Sequence, residues 1–241
     1  MRYTILTLCF ISLATRAAGQ TTAPDSSFVL LAKEQAVRSY EQAMYKQEHV
    51  YEGNGYINHD HRIKIHPYYL VDSLQAGTIT YNDVHYHDVR MLYDIVRDEL
   101  AIQPPEGGYR LQLNSNKIST FTIGQHQFTR LIGDSALGVR TGFYEILYNG
   151  KAKVLAHRVK TVHEDISSGT YKADYLFKDR FYIQKEGNYH EVKTKGSFLA
   201  LFPDQAKALR KYLRANRLKF NDEQRESAIT QATKRYEELT H

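Results

Sequence analysis

The sequence predicts an α+β fold that is mostly β: an antiparallel meander curled as a half-barrel or barrel-like sheet, with an N-terminal helix before it and C-terminal helices after it. Three observations carry this expectation. Between Val50 and Lys195, short runs rich in Tyr, Val, Ile, Phe and Thr are separated at close intervals by turn dipeptides, the pattern of hairpin-connected strands. No long helical period alternates with those runs, which disfavours parallel doubly wound sheets and their phosphate-binding turns. Both flanks are poor in glycine and carry apolar residues at helical spacing.

The first residues, MRYTILTLCFISLATRAAGQ, combine basic Arg2, an apolar run from Ile5 to Ala14 and small Ala17, Ala18 and Gly19. This is the three-part pattern of a secretory signal peptide, so residues 1–19 are expected to be a leader cleaved after Gly19. The apolar run falls short of the ~20 residues that span a bilayer, and no later segment is longer, so no transmembrane span is expected. Cys9, the single cysteine, sits inside this leader. Disulfides, thiol nucleophiles and cysteine-bound metals are therefore excluded from the mature chain. The expected location is beyond the inner membrane, periplasmic or associated with the outer envelope.

Residues 20–195 are expected to form a helix plus the β-meander, and residues 196–241 a helical segment packed on the same domain. FVLLAKEQAVRSYEQAMYKQEH lacks Gly and Pro and predicts an amphipathic helix from about Val29 to Gln47, its apolar stripe turned to the core. Within the meander, Asn149-Gly150 predicts a type I′ hairpin, and Lys178-Asp179 and Glu186-Gly187 predict two more. The tail reads as two helices joined near Phe220 and Asn221, with Asp204 as a cap for the first and Asn221 or Asp222 for the second.

Of eleven histidines, five fall in NHDHRIKIHPYY and YNDVHYHDVRMLYD. With Asn82-Asp83 as a two-residue turn, Tyr81 faces Val84, Thr80 faces His85, Ile79 faces Tyr86 and Thr78 faces His87. One face then carries Ile79, Tyr81, Val84 and Tyr86, and the other carries the threonines with His85 and His87. A second turn at Arg97-Asp98 would set Ile95 against Leu100, Tyr93 against Ile102 and Asp94 against Ala101. If residues 58–66 form one strand, His59 and His61 share a face and His66 points away. A metal site joining His59 or His61 to His85 or His87 across strands is the sharp alternative to plain surface imidazoles. HEDIS from His163 and HEVKT from His190 lack the second histidine of the zincin spacing.

No nucleophile elbow, phosphate loop or dinucleotide glycine fingerprint occurs. Carboxylate-pair catalysis stays open, because any two of 27 acids can meet in a fold. Trp is absent while Tyr numbers 19, and tyrosines along strands suit a core edge or an interface. Net charge is +5 before the leader leaves, too mild to indicate nucleic acid. Its distribution is more telling: Lys207, Arg210, Lys211, Arg214, Arg217 and Lys219 have no acid among them. The alternatives for this stretch are a solvated helix face or peripheral contact with an anionic surface.

The pieces GTITYNDVHYHDVRMLYDIVRDEL, FYEILYNGKAKV and LFPDQAKALRKYLRANRLKF resemble a group of uncharacterised secreted proteins of Bacteroidota-type bacteria. In that group a leader and helix precede Tyr-rich strands, a Leu-x-Tyr-Asp segment, a late Tyr-Asn-Gly-like hairpin and a Lys-rich tail. The resemblance touches most of the mature chain, implies a periplasmic or envelope protein, and transfers no catalytic residue. The leading expectation is a non-enzymatic binding or accessory protein for an envelope component or small ligand, without a cofactor. A lipid or lipoprotein carrier is the second, and a metal-dependent hydrolase built on His59, His61, His85 and His87 the third.

Overall fold

A computed structural model describes residues 26–44, 49–134, 138–165, 167 and 172–240. The leader expected over 1–19 lies outside the described residues. The chain divides into two units, Met1–Lys46 and Gln47–His241. In the first, helix α1 (Ser26–Met44) stands close to where it was expected. Its apolar residues are not core, however: Phe28, Val29, Leu30, Leu31, Val37 and Tyr40 are all exposed. Four of them are consecutive and so point around the helix instead of forming one stripe.

The second unit begins with β1 (Asn54–Gly55), β2 (Gln75–Tyr81), β3 (Val84–Asp94), β4 (Glu99–Gln103) and β5 (Leu111–Gln112). It continues through β6 (Ile118–Ile123), β7 (His126–Leu131), β8 (Gly142–Tyr148) and β9 (Lys153–His157). The last strands are β10 (Lys160–Asp165), β11 (Lys172–Phe177), β12 (Arg180–Lys185) and β13 (Asn188–Glu191). Helices α2 (Lys195–Ala200), α3 (Ala206–Ala215) and α4 (Arg225–Leu239) complete it. None of the described helices is long and apolar enough to cross a membrane.

Among the described residues, eleven strands form one sheet in the order β1-β5-β4-β3-β2-β6-β7-β8-β9-β12-β13, while β10 and β11 pair separately. The expected barrel does not form: the sheet is open, with β1 and β13 at its two edges. Closure needs the two edge strands to pair in a staggered register, and β1 offers two residues against four in β13. The open sheet is nevertheless bent. Tyr93 on β3 and Phe143 on β8 are four strand spacings apart, roughly 19 Å if flat, yet their ring centres are 6.0 Å apart. Phe121 and Phe128 fill the hollow between them, stacked at 4.6 Å.

Two turns carry the expected chemistry. Asn82 and Asp83 have φ of 49° and 63°, and Tyr81↔Val84, Thr80↔His85 and Ile79↔Tyr86 pair as the sequence predicts. Glu186 and Gly187 also adopt positive φ, joining β12 to β13. The expected Thr78–His87 pair is absent because the register shifts between Gly77 and Ile79, with Asp88 at φ 53°. At the next turn Asp94 faces Glu99 and Tyr93 faces Leu100. This slips the predicted register by two and leaves every side chain on its expected face. The slip follows from a longer turn, closed by backbone N–H groups of Val96 and Arg97 donating to Asp94 Oδ1 at 3.0 and 3.1 Å.

Asn149-Gly150 is not a type I′ turn, since neither residue has positive φ. Its glycine serves a close approach: a Cβ there would collide with both carboxylate oxygens of Glu237 on α4. Lys178-Asp179 is not a hairpin turn either. Arg180 pairs with His157 and Phe177 with Lys160 in one continuous register, so β9–β10 and β11–β12 are the two arms of one long hairpin. Its ladder loosens at Arg158-Val159 and Lys178-Asp179, where Asp179 Oδ1 accepts from the Val159 N–H at 3.1 Å.

The tail holds three helices, not two. Pro203 lies between α2 and α3 and cannot donate to a continuing helical ladder. Thr194 and Ser197 form a reciprocal capping box on α2. The N-caps of α3 and α4 are Gln205 and Gln224, without side-chain bonds, so neither Asp204 nor Asp222 caps a helix. Asn221 Oδ1 accepts from the Gln224 N–H at 3.2 Å in the turn before α4. Phe198, Phe202, Leu209, Leu213, Ile229 and Ala232 pack with Val154, Ala156, Phe181 and Ile183 of β9 and β12.

Candidate functional site

The segment containing His59, His61 and His66 is not a strand; it is a loop that folds against the end of β3. His59 Nε2 lies 2.5 Å from Asp94 Oδ2, and its Nδ1 lies 2.8 Å from the Tyr175 hydroxyl on β11. Asp94 is fully buried and also accepts from Tyr56 Oη at 2.8 Å. A neutral imidazole protonated at Nε2 satisfies every partner, donating to Asp94 and accepting from Tyr175. Burial, reinforced by the Asp94 charge, raises the pKa of Tyr56 and of Tyr175. Tyr175 is 2% exposed, so this relay is a clasp that fastens the β10–β11 arm to the body of the sheet.

Lys160 strengthens the same clasp. Its buried ammonium donates to the carbonyls of His66 and Tyr68 at 2.7 and 2.8 Å and sits 4.8 Å from the centre of the Phe177 ring. Desolvation by burial lowers its pKa. The His66 ring stacks on Tyr68, and burial followed by the Lys160 charge lowers its pKa.

The four histidines that the sequence singled out do not converge. His85 and His87 are exposed on β3 and meet each other edge to face at 4.5 Å, with Thr80 Oγ1 at 3.0 Å from His85 Nδ1. His61 is exposed in its loop, and both ring nitrogens of His59 are engaged as above. Among the described residues, no group of three or more His, Cys, Asp or Glu is placed to hold a metal ion.

The most concentrated electrostatics lie elsewhere, around Arg158 at the bend of the long hairpin. Its guanidinium reaches Glu145 on β8 at 2.5 Å, Asp179 at 2.8 Å and Glu226 on α4 at 2.7 Å. Burial alone would lower the Arg158 pKa, but the bonds and charges of Glu226, Glu145 and Asp179 more than reverse this and raise it. Glu145 also meets His126 Nδ1 at 2.5 Å, and the Tyr69 hydroxyl lies 2.8 Å from the same nitrogen. Four segments remote in sequence are thus held by one cation.

Beside this network a cleft of about 930 Å³ opens between the Phe177–Phe181 segment and the first turns of α4. Leu147, Phe177 and Phe181 supply apolar walls, and Ser227, Thr230 and Gln231 supply polar groups from α4. Of the lining acids, Asp179 and Glu226 are bound to Arg158, and Asp222 is paired with Arg225 at 2.7 Å. Glu223 is exposed. Lys178 and Arg180 also line the cleft, and neither side chain has a carboxylate partner among the described residues.

The sequence marked Lys178-Asp179 only as a turn and did not single out Glu145, Arg158 or Glu226. A local signal for them does not exist, because the contacts join residues 145, 158, 179 and 226 through the fold. No family model, curated protein or solved structure matches this chain.

Proposed function

We propose that the chain is a non-enzymatic binding protein of the exported, envelope-facing kind, with its ligand site in the cleft beside α4. The observation that carries this reading is the cleft itself. Its volume of about 930 Å³ falls in the range of small-molecule sites, which combine apolar walls with a few polar groups that fix orientation. Lys178 and Arg180 are the lining cations not already spent on a carboxylate, and they outnumber Glu223, the lining acid without an ion-pair partner among the described residues, so the chemistry favours a small amphiphile with an anionic head. The Arg158 network gives the cleft one rigid wall, because Asp179 and Glu226 are fixed on either side of it. The leader pattern supports export.

Calorimetric titration with decanoate tests this reading. Saturable binding of one ligand per chain is expected, weakened at least about tenfold by Lys178→Gln/Arg180→Gln, because each charge-assisted contact contributes about 1.5–3 kcal/mol. Undiminished affinity in the double variant would overturn the assignment. The apolar walls also leave room for a second reading as a lipid carrier. Affinity that rises about fourfold with each added methylene, over many methylenes, would favour carriage, since each buried CH₂ contributes about 0.8 kcal/mol.

A further inference from the structure

The basic stretch of the tail is not used by the cleft. Lys207, Arg210, Lys211 and Arg214 are exposed on α3 at helical spacings of three and four, which gathers them on one face. The other side of the helix is anchored through buried Leu209 and Leu213. The four cations span roughly 10 Å along the helix axis, and exposed Arg217 and Lys219 extend the strip beyond its end. Among the described residues, none of the six side chains has an ion-pair or hydrogen-bond partner. A shallow depression of about 580 Å³ runs over Ala208, ringed by Lys207, Arg210, Lys211 and Arg214, with Asp204 at its start.

The end of the helix adds an independent sign. Leu218 N–H donates to Leu213 O at 3.0 Å, the closing bond of a helix that ends in a left-handed residue. That residue is Arg217, at φ 53°, in a conformation where glycine is the least costly choice. The chain places a fifth exposed cation at this strained position.

We propose that this face of α3 adsorbs the protein on the surface of an anionic phospholipid bilayer. A plane of headgroup phosphates needs many cations side by side and no shaped pocket, which is what an unpaired row on a docked helix offers. A single-stranded nucleic acid or an uncharged sugar chain would call for an aromatic platform. Tyr212, the aromatic residue of α3, is half-buried beneath the Arg235 guanidinium. Attraction to such a bilayer acts over a Debye length and is screened by salt.

The test is co-sedimentation of the full chain with vesicles of phosphatidylglycerol and phosphatidylcholine, against vesicles of phosphatidylcholine alone. Binding is expected with the anionic vesicles only, and it should fall steeply as salt rises. Each cation contributes about a fivefold factor near an anionic surface, so Lys207→Ala/Arg210→Ala/Lys211→Ala should weaken binding about a hundredfold. Lys64→Ala/Lys151→Ala/Lys172→Ala removes the same charge from other exposed positions and should change it little. The proposal is overturned by equal binding to neutral vesicles or by an equal loss in the second triple variant. It is also overturned if a soluble sulfated polysaccharide binds while anionic vesicles do not. Thermal unfolding of both variants confirms that the exposed substitutions leave the fold intact.

Discussion

Single residues in this protein take their properties from neighbours that are distant in sequence. His157 stacks on Tyr144 with ring centres 4.8 Å apart, and burial, followed by the Arg180 charge, lowers its pKa to about 4. In the unfolded chain the same imidazole titrates near 6.5. Between these values the unfolded state binds the extra proton, so stability present above pH ~6.5 is lost as pH falls toward ~4. The contribution is on the order of 3 kcal/mol. Asp98 opposes it, because burial raises its carboxyl and protonation then favours the folded state. Denaturant unfolding across this pH range should therefore show a steeper acid loss for the parent than for His157→Gln, and parallel curves would refute the assignment. His59 shows the same dependence on context: its sequence neighbours suggest a metal ligand, and Asp94 and Tyr175 make it a bridge between a loop and a hairpin arm.

At the scale of elements, hairpins were legible where the turn alone decides them. Asn82-Asp83 and Glu186-Gly187 take positive φ because short polar residues and glycine tolerate it. Asn149-Gly150 has equally favourable chemistry, yet Glu237 overrides it. The Glu237 carboxylate accepts from Ala152 N–H and Tyr148 Oη, both at 2.8 Å, and fills the space that a side chain at Gly150 would need. Gly150→Ala is expected to cost about 2 kcal/mol through overpacking. In a Glu237→Ala background it should lose about half of that cost, with the remainder due to Tyr148, whose ring would also lie close to the new Cβ. A double-mutant cycle that comes out additive would count against this account. Lys178-Asp179 was misread for a related reason. Local composition cannot distinguish a turn from a loosened point within a long hairpin whose arms pair on both sides of it.

At the scale of the molecule, the Arg158 network joins β8, the bend of the long hairpin and α4. With one guanidinium among three carboxylates, its removal leaves like charges close together with Glu145 buried. Arg158→Met should destabilise the fold by about 3–5 kcal/mol. It should also weaken decanoate binding, since Asp179 and Glu226 would no longer be fixed at the cleft wall. A full-strength cleft in a destabilised variant would show that the network holds the fold without shaping the site.

The sequence by itself determined the strand-rich middle, the flanking helices, the division of β2 and β3 into apolar and polar faces, and the unbroken basic run of the tail. These follow from periodicity and turn chemistry, which act over a few residues. Only the tertiary structure decided that the sheet stays open, that His59 meets Asp94 and not His85, and that a cleft lies beside Arg158. Sheet closure depends on how the first and last strands match in length, and the two polar sites depend on side chains brought together from far along the chain. Such contacts depend on the packing of the whole sheet, and no short stretch of sequence encodes them.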